Sequence, residues 1–231
     1  MTPASMVEMT GVGTLNEKSL HAQLKVWCSQ AGDRFEVPVG RHVIDIVRGE
    51  LLIEIQTRNV SAVRNKLATL LEEHRVRLVF PIPASKTLVK LGPGGEIVSR
   101  RRSPKRGSVF DIFAELVSIT TLIDHPSFDL RVLLIDEVEL REHTPHGNWR
   151  RKGWRTVERR LESVLEEIPL SSTGQLLELI PPLPGEWTTA DIAETAGVSL
   201  RVAQQVAYTL KHTAAAVPVA KRGNAVVYIF V

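Results

Sequence analysis

The stretch Ile44-Asp45-Ile46-Val47-Arg48-Gly49-Glu50-Leu51-Leu52-Ile53-Glu54-Ile55-Gln56-Thr57 constrains the fold of this chain more than any other. It reads as two β-strands joined by a tight turn at Arg48-Gly49. Each strand is nearly all apolar, yet each carries an acid, Asp45 in one and Glu54 in the other. A carboxylate inside such a run loses hydration and is tolerated only beside a partner or a metal ion. The hairpin brings the two acids together, which makes the pair a candidate divalent-cation site.

Periodicity places other elements around this hairpin. Residues Leu15 to Ser29 read as a helix, N-capped by Asn16, with Leu15, Leu20, Leu24 and Trp27 on one face. Strands are expected at Arg34–Val39, His42–Val47 and Leu51–Gln56. A helix from Ser61 to His74, capped by Ser61, turns Val63, Leu67, Leu70 and Leu71 inward. A strand from Val76 to Ile82 is expected to end near Pro81 and Pro83. The order is α-β-β-β-α-β. Beyond it come a hairpin over Lys86–Ser99, a basic loop to Gly107, a helix over Val109–Ile123 and a strand over Arg131–Leu140. That strand is expected to expose Asp136, Glu137 and Glu139 on a polar face. Arg155 to Glu167 reads as a charged helix. The glycines around Pro93 lack the Gly-Lys-Ser/Thr continuation of a phosphate cradle and read as a turn.

Composition changes at Pro169, and Pro181-Pro182-Leu183-Pro184 forms a second break. Between them lies a short helix over Ser172–Leu179. A helix, a turn at Gly197 and a second helix capped by Ser199 follow, and then two strands linked by Arg222-Gly223-Asn224. Three helices and a hairpin in this order resemble a winged helix-turn-helix. The expected division is therefore 1–168 and 169–231. Ser199, Arg201, Gln204, Gln205, Thr209 and Lys211 are expected as outward groups, of which the Arg and Gln side chains suit base edges, and Lys221 and Arg222 at the hairpin tip suit phosphates. Residues 171–231 balance four basic against four acidic side chains. That neutrality also fits a protein-docking module.

Glu54 and Gln56 are two apart and share a strand face. Two carboxylates from adjacent strands can share Mg²⁺, with waters and a phosphate oxygen completing its shell. Here the chain resembles the PD-(D/E)XK, or restriction-endonuclease-like, nuclease superfamily over residues 13–85. Asp45 matches the second-strand acid, Glu54-Ile55-Gln56 the E-X-K motif, and Glu17 a glutamate of the first helix. The resemblance implies an α/β fold, a restriction-endonuclease-like αβββαβ core with a C-terminal winged-helix domain. It also implies Mg²⁺ (or Mn²⁺) held by Asp45 and Glu54, with Gln56 positioning water and Glu17 assisting. Gln56 stands where the family has lysine and cannot supply its charge; Lys66 or Arg58, just beyond the strand, are candidates to do so. Structural alternatives stand beside this: Asp45 paired with Arg48 or Arg41, and Glu54 paired with Arg58 or Lys66. Glu36 and His21 are lesser candidates for the same cleft. His143 and His146 read as loop residues rather than zinc ligands.

The single cysteine, Cys28, excludes an intrachain disulfide framework and a multi-cysteine zinc site. No apolar run approaches the ~18 residues of a membrane span. Met1 to Met9 show no secretory pattern, so a cytoplasmic protein without membrane contact is expected. The net charge is only +3, but it is clustered at Arg100-Arg101-Arg102, Lys105-Arg106, Arg150-Arg151-Lys152, Arg155 and Arg159-Arg160. Such clusters suit a phosphate backbone. The expectation is a metal-dependent nuclease acting on nucleic acid, DNA above all, with a homodimer left open. The alternatives are a catalytically inactive DNA-binding regulator and a protein-interaction module on the same scaffold.

Overall fold

The computed structural model describes residues 19–144 and 153–231. Helix α1 (Leu20–Cys28) opens them, and the Ser19 hydroxyl caps it by accepting from the Ala22 N–H. The expected cap Asn16 lies outside the described residues. Three strands follow where the apolar alternation puts them: β1 (Arg34–Val39), β2 (His42–Arg48) and β3 (Leu51–Ile55). The β2–β3 turn needs Gly49, whose φ of 56° is costly for a residue with a Cβ. A 3₁₀ turn at Val60–Val63 then leads into α2 (Arg64–Leu71). Ser61 does not cap that helix, because its hydroxyl is spent on the Asn59 side chain.

Strand β4 (Arg75–Leu91) is longer than expected and runs through both prolines. Its register explains why. Val79 C=O accepts from Gln56 N–H, so residues 79, 81 and 83 turn their backbone groups toward β3. The last β3–β4 pair is Ile55↔Val79, and beyond it Pro81 and Pro83 face no strand that needs their N–H. After β4 come β5 (Ile97–Arg102), a 3₁₀ turn at Val109–Ile112, the short α3 (Phe113–Leu116), β6 (Phe128–His143) and β7 (Trp154–Pro169). The expected helix over 109–123 is thus only one turn of α-helix flanked by turns. The basic run Arg100–Arg102 lies in a strand, not a loop. The expected helix over 155–167 is β7, antiparallel to β6.

The sheet order is β1-β2-β3-β4-β6-β7, with β5 paired to β4. β4 is parallel to β3 and β6, and the other pairs are antiparallel. This is a mixed α/β fold around an open mixed sheet. Leu20 and Leu24 of α1 cover Ile46, Ile53, Ile55, Val79, Leu133 and Ile135. A larger core packs Leu67, Leu70 and Leu71 of α2 and Phe113 and Leu116 of α3 against Leu52, Leu78, Phe80 and Val132. At ~25 cal/mol per Å² of apolar surface, burying such side chains is what holds the helices to the sheet.

Beyond β7 come α4 (Thr173–Glu178), α5 (Thr189–Thr195), α6 (Leu200–His212) and a hairpin of β8 (Ala216–Arg222) and β9 (Ala225–Phe230). The expected cap Ser199 is present, and Ser172 and Thr188 also cap their helices: each hydroxyl accepts from a helix N–H group. Trp187 is fully buried and stacks on Tyr228, while α6 buries Ala203, Val206 and Leu210 in the same core as α3. Among the described residues, no helix is long and apolar enough to cross a membrane.

Candidate functional site

Asp45 sits where β2 and β3 part. The register would set it opposite Glu54, but the last backbone pair is Ile46↔Ile53. The Asp45 side chain takes over the ladder: its Oδ2 accepts from Ile55 N–H at 2.9 Å. His21 Nε2 lies 3.2 Å from the same oxygen, and Lys25 Nζ lies 3.1 Å from Oδ1. His21 and Lys25 are one turn apart on α1, so one helix face serves the carboxylate. Burial by itself would raise the Asp45 pKa. The bonds from His21, Ile55 N–H and Lys25 outweigh it and hold the carboxyl at about 2. The bond to Asp45 in turn raises the His21 pKa against the effect of burial.

Glu54 is only 7% exposed. Lys66 Nζ reaches down from α2 to within 2.6 Å of its Oε1 and also donates to Val43 C=O at 2.7 Å. Its other oxygen, Oε2, is buried without a hydrogen-bond partner. Burial raises the Glu54 pKa, Lys66 opposes this, and Asp45 adds to it. One acid of the pair is therefore pushed down and its neighbour up.

The sequence-based partners resolve unevenly. Glu54 pairs with Lys66, not Arg58. Asp45 pairs with neither Arg48 nor Arg41; Arg48 instead forks onto Asp33 at 2.8 and 2.9 Å. Gln56 lies one residue past the end of β3 at Ile55. Its amide donates to Arg58 C=O at 2.7 Å and Asn59 C=O at 3.2 Å and so ties the loop. Glu36, with φ of 51°, is paired with Lys25. Glu17 and His146, together with Arg150, Arg151 and Lys152, lie outside the described residues. His143 ends β6 and meets the Trp154 ring edge-on. Lys25 was missed in the sequence, although its i+4 spacing from His21 was a usable signal.

Glu137 and Glu139 depart from expectation most. They are buried, at 0% and 5% exposure, not on an exposed polar face. Arg159 of β7 forks onto Glu137 Oε2, and Lys86 of β4 lies 2.9 Å from its Oε1. Glu139 takes Arg141 at 2.7 Å, Thr156 at 2.6 Å and Lys86 at 3.0 Å. Burial would raise the Glu139 carboxyl, yet these donors hold it at about 2. Cys28 is an inert thiol, pushed up to about 12 chiefly by burial.

The expected nucleic-acid contacts divide by location. Arg100, Arg101, Arg102, Lys105 and Arg106 are exposed along β5 and the following loop. Arg201, Gln204 and Lys211 form an exposed stripe on α6 and Ser199 is exposed at its start, while Gln205 is half-buried and Thr209, expected to point outward, is fully buried. Lys221 and Arg222 are exposed at the β8–β9 tip, and Arg222 lies 3.8 Å from Glu186. Among the described residues, no three His, Cys, Asp or Glu side chains cluster closely enough to hold a metal ion by themselves.

The family model described as a domain of unknown function (DUF8091) matches residues 18–171. That span holds both acid pairs and stops before α4. A protein of Treponema pallidum (strain Nichols) that bears the name "Uncharacterized protein" is 30% identical over 220 residues, 94% of this chain and 86% of its own length. No solved structure matches.

Proposed function

The chain belongs to the DUF8091 family, and for it we propose a metal-dependent hydrolase of nucleic-acid phosphodiesters, DNA foremost. Its core would be restriction-endonuclease-like, with α4 to β9 acting as a winged helix that holds the substrate. The observation that carries the reading is the acid pair at the parting of β2 and β3, in which buried Glu54 Oε2 has no partner. A buried, unpaired carboxylate oxygen is costly and invites a cation.

Asp45 and Glu54 fit Mg²⁺ or Mn²⁺, since such ions take one or two carboxylates and fill their shells with water and phosphate oxygens. A bound ion supplies positive charge at the scissile phosphate and makes the attacking water more acidic. Ile55 N–H, His21 and Lys25 hold Asp45 ionised and fixed in position. Lys66 supplies beside Glu54 the positive charge that Gln56 lacks, and Gln56 keeps the loop after β3 in place. The stripe of Arg201, Gln204 and Lys211 on α6 would meet the substrate, with Lys221 and Arg222 at the hairpin tip.

A second reading, a nucleic-acid-binding regulator without catalysis, is favoured by one observation. Asp45 already has every oxygen paired, with Lys25 neutralising it. A cleavage assay with Mg²⁺ or Mn²⁺ on single-stranded, duplex and branched DNA and on RNA separates the two. The hydrolase reading expects cutting by the unsubstituted chain and its loss in Asp45→Ala and Glu54→Ala. Equal cutting by folded variants would remove this site, and no cutting under any condition would leave the regulator.

A further inference from the structure

The second halves of β4 and β6, with β5 and β7, form an arm of the sheet beyond the end of β3. Cross-strand register sorts its charges by face. Lys86 lies opposite Glu137, Leu88 opposite Glu139 and Lys90 opposite Arg141. Leu88 also lies opposite Arg101 of β5, and Glu139 opposite Arg159 of β7. Because side chains alternate, all of these share one face. That face carries five cationic side chains, Lys86, Lys90, Arg101, Arg141 and Arg159, against two carboxylates.

On the opposite face, three arginines are matched by acids. Arg100 pairs with Glu162 at 3.4 Å, Arg160 with Glu158 at 3.0 Å and Arg155 with Glu142 at 3.8 Å. The run Arg100-Arg101-Arg102 is thus split, with only its middle member on the cationic face.

The two carboxylates brace this face. Glu137 and Glu139 hold Lys86, Arg141 and Arg159 at fixed positions. Next to them is a cavity of about 300 Å³ bordered by Lys86, Lys105, Arg141 and Ser103 together with the acids Asp111 and Glu139. The 103–107 loop roofs it by passing so close to β4 that a Cβ on Gly107 would come within 2.6 Å of Pro83 C=O. The face also runs toward α1. Leu161, opposite Glu137, packs with Leu20 and Leu24 of α1, the helix that holds Asp45. Arg159 Nη1 lies 3.5 Å from Thr57 C=O, just past Gln56.

We infer that this face of the arm is a track for the phosphate backbone of a nucleic-acid strand, leading it to Asp45 and Glu54. The inference rests on the proposed hydrolase reading for the strand's destination, but not for its binding. Pre-positioned cations lose little side-chain freedom on meeting phosphates, and each contact releases counterions.

The two faces of one strand provide the test. Arg101→Ala/Lys105→Ala removes two exposed charges from the track, and Arg100→Ala/Arg102→Ala removes two exposed charges from its back. Binding is read by fluorescence anisotropy in EDTA, with a labelled DNA strand of about 20 nucleotides, its duplex and the matching RNA as probes. The first double is expected to bind about tenfold more weakly and to lower the salt slope by about 1.5, with the second near the unsubstituted chain. Equal losses in the two doubles, or no binding by the unsubstituted chain at low salt, would overturn the track. Selective loss in a chain that never cleaves with Mg²⁺ or Mn²⁺ leaves the track standing and removes the hydrolase reading. Metal-dependent cleavage that is unchanged in the first double does the reverse.

Discussion

Asp45 with Glu54 and Glu137 with Glu139 are both buried acid pairs on one sheet, but their partners differ in kind. Glu137 and Glu139 are two apart on β6 and are locked by cations from β4, β6 and β7, all on paired strands. Asp45 and Glu54 come from two strands and are served by side chains of α1 and α2. The first-named glutamate pair braces an arm of the sheet. The Asp45–Glu54 pair leaves Glu54 Oε2 without a partner and splits its pKa values, with Asp45 held at about 2 and Glu54 raised. Neighbouring groups pushed in opposite directions suit a reactive site better than a structural clamp.

The largest expected effect tests whether the two pairs differ in stability. Glu137→Gln leaves Arg159 without its buried counter-charge and Lys86 with Glu139 alone, and should cost about 3–5 kcal/mol. Glu54→Gln should cost about 1 kcal/mol or less, because burial already disfavours its charge and Lys66 keeps Val43 C=O. Urea midpoints measure both. Similar costs would make Asp45–Glu54 another structural clamp and end the contrast.

Activity gives the next effect. If Lys66 carries the missing charge, Lys66→Met should lower kcat/KM about 100-fold while the chain stays folded. A change below about threefold would return Lys66 to a purely structural role.

Acid sensitivity is expected to be somewhat smaller. The Asp45 pKa is about 2 in the folded chain and about 3.9 in an unfolded one. A lowered acid contributes stability above about pH 4, and that contribution, about 2 kcal/mol, is lost as pH falls toward 2. Glu54 has the opposite sign, since the burden of its buried charge is relieved as pH falls through its raised pKa. Asp45→Asn should therefore flatten the stability profile between about pH 4 and 2; a profile parallel to the unsubstituted chain's would show that the three bonds to Asp45 contribute nothing. The smallest effect belongs to Gln56→Lys. With Gln56 turned into the loop and Lys66 at Glu54, it should change cleavage by less than about threefold. A large gain would mean that position 56, not 66, governs the site.

Much of this was legible locally. The apolar hairpin, its turn at Gly49 and the strands β1 to β3 follow from alternation and turn chemistry. The Ser199 cap of α6 read equally well. Arg155–Glu167 misled because its charge density suits a helix. Yet a helix would stack Arg155 on Arg159 and Glu158 on Glu162, like charges at i,i+4. A strand instead sets Arg159 against the carboxylates of β6. Glu137 and Glu139 looked like a solvent face because alternation tells which residues share a side, not whether water or another charge covers that side.

The sequence by itself determined the strands β1 to β3, the acidic hairpin and the chemistry available to it, because backbone propensity and side-chain period act over a few residues. Only the tertiary structure decided which cation meets which acid. Lys25 and Lys66 reach Asp45 and Glu54 from separate helices, and Arg159 reaches Glu137 across the antiparallel β6–β7 pair. These pairings depend on where helices pack and how strands register, and burial makes them decisive, since an unpaired charge away from water costs more than any local preference supplies.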